Sequence, residues 1–167
     1  MQPLDILAKI SHEKLDAMLG ELNSGQLKTV VKAGGLSTRV PASAVSPSAR
    51  RRVLAKRVRD GIAKEHEPLA SELIYQWLLH HRREMLIDYL DAVGVKHVRG
   101  ETEETFTKTI PEDKLVNAAL ALRTKYEPVD VAIYVLYLDY HQEADAFSQE
   151  PRVLALFGRD GSESAKA

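Results

Sequence analysis

The chain has 167 residues, 44% hydrophobic and 28% charged, an ordinary globular composition with enough length for one core and a small appendage. A net charge of −1 supplies no global field toward nucleic acid or an anionic membrane, and the lack of cysteine excludes disulfides, thiolate metal sites and a cysteine nucleophile. The opening "MQPLDILAKI" lacks a basic, apolar leader pattern, and no run of about 18 apolar residues occurs, so a cytoplasmic location without membrane contact is expected.

In chain order, residues 3–22 place Leu4, Leu7, Ala8, Leu15, Met18, Leu19 and Leu22 at helical spacing, and Ser11 offers a cap that splits the run in two. "SGQLKTVVKAGG" predicts a short helix stopped by Gly34 and Gly35. The Ser/Pro/Ala loop "LSTRVPASAVSP" follows and marks an internal boundary. Ser46-Pro47 or Ser48 then opens a basic helix whose apolar stripe is Leu54, Val58, Gly61 and Ile62.

Pro68 starts a long apolar-striped helix that Gly94 stops. Residues 95–110 are rich in threonine and β-branched side chains around Gly100 and predict a small β-hairpin or a plain loop. Pro111, followed by Glu112 and Asp113, starts a helix running to about Tyr126. Pro128 starts the next, over 128–141, apolar almost all round through Val129, Val131, Ala132, Ile133, Val135, Leu136 and Leu138. Such a helix belongs in the middle of a bundle. Pro151 starts a last short helix. The expected class is therefore mainly α, a bundle of about six to seven helices around 128–141. The expected division is an N-terminal helical appendage at 1–45, the bundle at 46–157 and a disordered tail at 158–167. Two Glu-Pro pairs, at 67–68 and 127–128, each lead into an Ile-Tyr. They suggest a duplicated helical hairpin or a shared start signal.

Two polar lines interrupt the apolar faces. His81, Glu84 and Asp88 fall at i, i+3 and i+7 on or beside the stripe of the predicted 69–93 helix. Asp130, Tyr134, Tyr137 and His141 form a similar line on the 128–141 helix. If the lines face each other, they assemble two histidines, three carboxylates and two phenols, groups able to bind a divalent metal or exchange protons. The simpler reading is that each polar group is paired inside the fold. No di-iron Glu-x-x-His pair, His-Glu-x-x-His, Gly-x-Ser-x-Gly or phosphate-binding loop occurs, so no catalytic residue is assigned, no cofactor is expected, and the identity of any metal stays open.

Charge is uneven: residues 50–66 carry seven basic and two acidic groups, while 111–167 carry six and ten. Arg50, Arg51, Arg52, Lys56, Arg57 and Arg59 could follow phosphates, or could pack against the protein itself. Helix, extended loop and basic helix over residues 26–59 are similar in outline to SAP-type DNA-binding motifs. The likeness rests on Leu27, Gly35, Leu36, Leu54 and the basic run. The loop here is longer and carries Pro41 and Pro47.

Three functions follow. The leading expectation is a non-catalytic, adaptor-like protein-interaction domain, using the basic helix or the Thr/Glu-rich stretch at 101–109 toward a protein partner or a second copy. The next is nucleic-acid binding through the six cations. The third is a metal-dependent or acid–base enzyme at His81, Glu84, Asp88 and His141.

Overall fold

The predicted caps and prolines start their helices within one residue of the expected positions. The computed structural model describes residues 1–159, and these form nine α-helices and no strand. Helix α1 is Pro3–Leu7 and α2 is His12–Glu21, opened by Ser11, whose hydroxyl accepts Lys14 N–H at 3.1 Å. Helix α3, Ser24–Ala33, begins with a reciprocal capping box. Gln26 N donates to Asn23 Oδ1 at 2.9 Å and Asn23 N donates to Gln26 Oε1 at 2.8 Å. Gly35, at φ +69°, takes the left-handed position beyond its end. Helix α4, Pro47–Ala63, is capped by Ser46, which accepts Ala49 N–H at 3.1 Å. Next come α5, Glu67–His81, and α6, Arg83–Val93, the latter ended by Gly94 at φ +81°. Helix α7, Glu112–Ala121, continues as a 3-10 turn through Thr124, and α8 is Pro128–His141. The short α9, Pro151–Leu154, and a 3-10 turn, Phe157–Arg159, complete the described chain.

The chain divides into two compact units, residues 3–81 and residues from 82 onward together with Met1 and Gln2. The expected division fell at 45/46 instead. That loop joins elements of one unit, because α3 and α4, on either side of it, pack against each other.

In the N-terminal unit α5 is the hub, touched by α1, α2, α3 and α4. Its Leu69 is buried between two glycines. A Cβ on Gly34 or Gly61 would lie 2.8 or 2.5 Å from Leu69 Cδ1, so the absence of side chains there lets three helices close on one leucine.

In the C-terminal unit the apolar helix α8 has every residue from Val129 to Leu136 buried, as its all-round hydrophobicity predicts. Tyr89 of α6 meets Tyr134 of α8 edge to face with centroids 5.3 Å apart, and Phe147 also meets Tyr89 edge to face, at 6.4 Å.

Two expectations need correction. The 69–93 helix is two helices: the backbone turns at Arg82 (φ −129°, ψ 19°) with neither proline nor glycine present. What fixes the break is tertiary, since Arg82 Nε donates to the buried Asp130 carboxylate at 2.5 Å. The β-hairpin at 95–110 reduces to one isolated bridge, Val98 to Glu101. The chain beyond Glu101 is held by the Gln142 side chain, just past the end of α8, and does not pair as a strand. The tail placed at 158–167 lies mostly outside the described residues, and its first two residues belong to the last 3-10 turn. Among the described residues no helix is long and apolar enough to cross a membrane.

Candidate functional site

The break at Arg82 separates the first polar line. His81 ends α5 in the N-terminal unit, where its Nε2 lies 3.4 Å from Gln26 Oε1. Glu84, exposed, and Asp88 lie on α6 in the C-terminal unit. Asp88 Oδ2 accepts from Lys125 Nζ at 2.7 Å and from the Tyr126 hydroxyl at 2.6 Å. The lysine, then the phenol, hold the Asp88 carboxyl below the usual carboxylate range.

The second line stays on one helix, but its members do different things. Asp130 is buried and ion-paired with Arg82. Tyr134 packs on Tyr89, and burial pushes both phenols up. Tyr137 stacks on His141 with centroids 6.3 Å apart and planes 13° from parallel. His141 is exposed and lines an open depression of about 540 Å³ with Glu143, Asp145 and Tyr140 at the end of α8. Among the described residues no three His, Asp or Glu side chains are grouped to hold a metal ion. The carboxylates of Asp88 and Asp130 thus each have a cationic partner within their unit.

Two polar residues that pattern reading passed over organise the loops of the C-terminal unit. Gln142, just past the end of α8 and buried, accepts through Oε1 from Phe106 N, Thr107 N and Thr107 Oγ1, each at 3.0 Å, and donates through Nε2 to Glu104 O at 3.1 Å. Asp139, fully buried, accepts from the amides of Ala146, Phe147 and Ser148 at 3.1, 2.8 and 2.9 Å. Burial pushes its carboxyl up, against the pull of those three amides. The available signal was polarity itself: Asp139 and Gln142, three apart, interrupt the most apolar helix in the chain.

Five of the six cations of the basic helix α4 are bonded within their own unit, although Arg50, Lys56 and Arg59 remain exposed to solvent. Arg50 Nε donates to Ala44 O at 3.1 Å, and Arg57 Nη1 to Ser37 O at 2.6 Å, fastening the loop between α3 and α4. Arg51 caps the C-terminal end of α2, donating to the carbonyls of Leu22, Leu19 and Gly20 at 2.9, 2.5 and 2.6 Å. Arg59 donates twice to Asp16 Oδ1, at 2.9 and 2.6 Å, and Lys56 pairs with Asp60 at 2.7 Å. Arg52 is exposed and makes no such bond among the described residues.

The segment after α6 is built differently from an ordinary loop. Val98 and Glu101 exchange two backbone hydrogen bonds, at 2.8 and 3.1 Å, across a two-residue turn. Arg99 (φ +53°) and Gly100 (φ +86°) both take positive φ, as a type I′ turn requires. The turn lies flat on α6, since a Cβ at Gly100 would come 3.1 Å from Leu86 Cβ. Arg83 Nη1 donates to Arg99 O at 3.2 Å. His97 bridges the turn to α6: its Nδ1 accepts Gly100 N–H at 3.1 Å and its Nε2 faces Asp91 Oδ1 at 3.1 Å. At the tip Val98 is 76% exposed, followed by exposed Glu101, Glu103 and Glu104. No family model, curated protein or solved structure matches the chain.

Proposed function

We propose that this chain is a non-catalytic helical interaction module, and that residues 97–109 are its recognition element. The observation that carries the reading is an exposed valine on a preorganised turn. Ordering a loop when it binds costs free energy, and a loop already fixed by its own protein avoids that cost. Here the turn is bonded to α6 at one end, and the rest of the segment is bonded to Gln142 at the other. The apolar tip with a following run of glutamates fits a partner with a small apolar recess bordered by cations. The basic helix is the less favoured surface, because five of its six cations are already bonded within their own unit.

A photo-crosslinking side chain at position 98, compared with one at Val45, which is 77% exposed in the other unit, tests the reading. The expected result is a discrete adduct from 98 that is absent from 45 and competed away by unlabelled protein but not by its Val98→Glu variant. Position 98 yielding no adduct, or the same adducts as 45, would reject it.

A further inference from the structure

Resting on that reading of 97–109, we infer that His97 is a proton-operated latch that decides whether the turn is presented. The geometry assigns the ring one protonation state. Nδ1 faces a backbone N–H, so it must be an unprotonated acceptor, and the single ring proton sits on Nε2, aimed at Asp91. Adding a proton turns Nδ1 into a second donor, setting N–H against N–H at Gly100. The ring cannot then hold both partners.

The charged surroundings determine which partner it keeps. Asp91 on α6 is an acceptor in either state and attracts the doubly protonated ring. Arg83 on α6, and Lys96, Arg99 and Glu101 around the turn, are the other charges nearby. Arg83 is engaged with Arg99 O and lies 3.9 Å from Glu101, so the cation and the carboxylate on that side largely offset each other. The protonated ring therefore stays on Asp91 and lets Gly100 go. Protons reach the ring readily, because His97 lines an open cavity with Asp91, Gly94, Val95 and Lys96.

Losing Gly100 N–H removes a constraint from a turn with two consecutive positive φ values, one of them on a non-glycine residue that disfavours it. The Val98–Glu101 bridge opens and the tip loses its fixed shape. The latch is therefore closed while the ring is neutral and released once the ring takes up a second proton.

Nuclear magnetic resonance on the full chain with ¹⁵N-labelled histidine tests this without a partner. At pH 8 the ring nitrogens should report the Nε2–H tautomer. Between pH 8 and pH 5 the protection of the Gly100 amide against exchange should fall by about tenfold, as expected for losing one hydrogen bond, and should follow His97's own titration. In His97→Asn the side-chain oxygen occupies the place of Nδ1 and does not titrate, so protection should persist at pH 5. Should that variant not fold, the wild-type titration decides alone. An Nδ1–H tautomer at pH 8, or Gly100 protection unchanged across the titration, overturns the latch. Either result leaves the crosslinking test of residue 98 intact, and failure of that test leaves the titration intact.

Discussion

At the scale of single residues, Gln142 and Asp88 show how polar groups on apolar helices are used. Gln142 satisfies three donors and one carbonyl of the 104–107 backbone and Thr107 side chain in a buried setting. Truncating it to alanine leaves those groups unpaired, and Gln142→Ala should lose about 2–4 kcal/mol of stability in urea unfolding, by the cost of unsatisfied buried groups. The loss should be visible first as faster amide exchange at Phe106 and Thr107. A variant within 0.5 kcal/mol of wild type, roughly the range of neutral surface changes, would mean that water replaces the side chain. Asp88 has a different signature. Its carboxyl is held below the usual range by Lys125 and Tyr126, so the native state binds its proton more weakly than the unfolded chain. Its contribution is present above the ordinary aspartate range and is lost as pH falls through the lowered value. The pair is partly exposed, so the contribution is of order 1 kcal/mol or less. The stability difference between wild type and Asp88→Asn should therefore be measurable at pH 7 and shrink as the carboxylate is protonated in acid. A difference that grows on acidification would reverse the assignment.

Among the helices, what could be read from sequence is what local chemistry decides. Ser11, Ser46, Pro128 and Gly94 each mark an end because a hydroxyl, a fixed φ or a left-handed φ acts within one turn. The burial of α8 was legible for a similar reason, since its apolar residues run almost all round the helix. The break at Arg82 was not, because its partner Asp130 lies 48 residues away. The polar line through His81, Glu84 and Asp88 assumed a continuous helix, whereas the break puts His81 on α5 and Glu84 and Asp88 on α6. The Glu-Pro echo survives as element order: α5 and α8 each follow a helix and a short connection. The packing around them differs, with glycines admitting Leu69 in one unit and paired tyrosines between α6 and α8 in the other. The glycine contact makes a prediction. Gly61→Ala gains helix propensity worth about 1 kcal/mol, yet it drives a methyl into Leu69, which Gly34 backs from the other side; overpacking of this kind costs about 1–3 kcal/mol. Thermal unfolding should show a net loss, and Leu69→Val in the same chain should recover part of it. A simple gain on Gly61→Ala would mean Leu69 has room to move.

On the scale of the whole molecule, charge is partitioned while the total stays near zero. Residues 3–81 carry twelve basic and eight acidic side chains, and residues 82–159 carry ten and fourteen. A count of this kind favours binding of an anion by the N-terminal unit, and it is the best support for the nucleic-acid alternative. The hydrogen bonds argue the other way, because Arg50, Arg51 and Arg57 are committed to backbone carbonyls and Arg59 and Lys56 to carboxylates. The two arguments differ in a number. Each phosphate neutralised contributes a slope of about −0.9 to the logarithm of affinity against the logarithm of salt, so all six cations acting together would give about −5. Arg52, with one further cation released from its ion pair, would give only about −1 to −2. Titration of a short duplex across a salt series should find the shallow slope, with Arg52→Glu abolishing the residual binding. A slope near −5 that survives Arg52→Glu would show that the internal bonds open to admit phosphate, and would move the recognition surface from the turn at Val98 to helix α4.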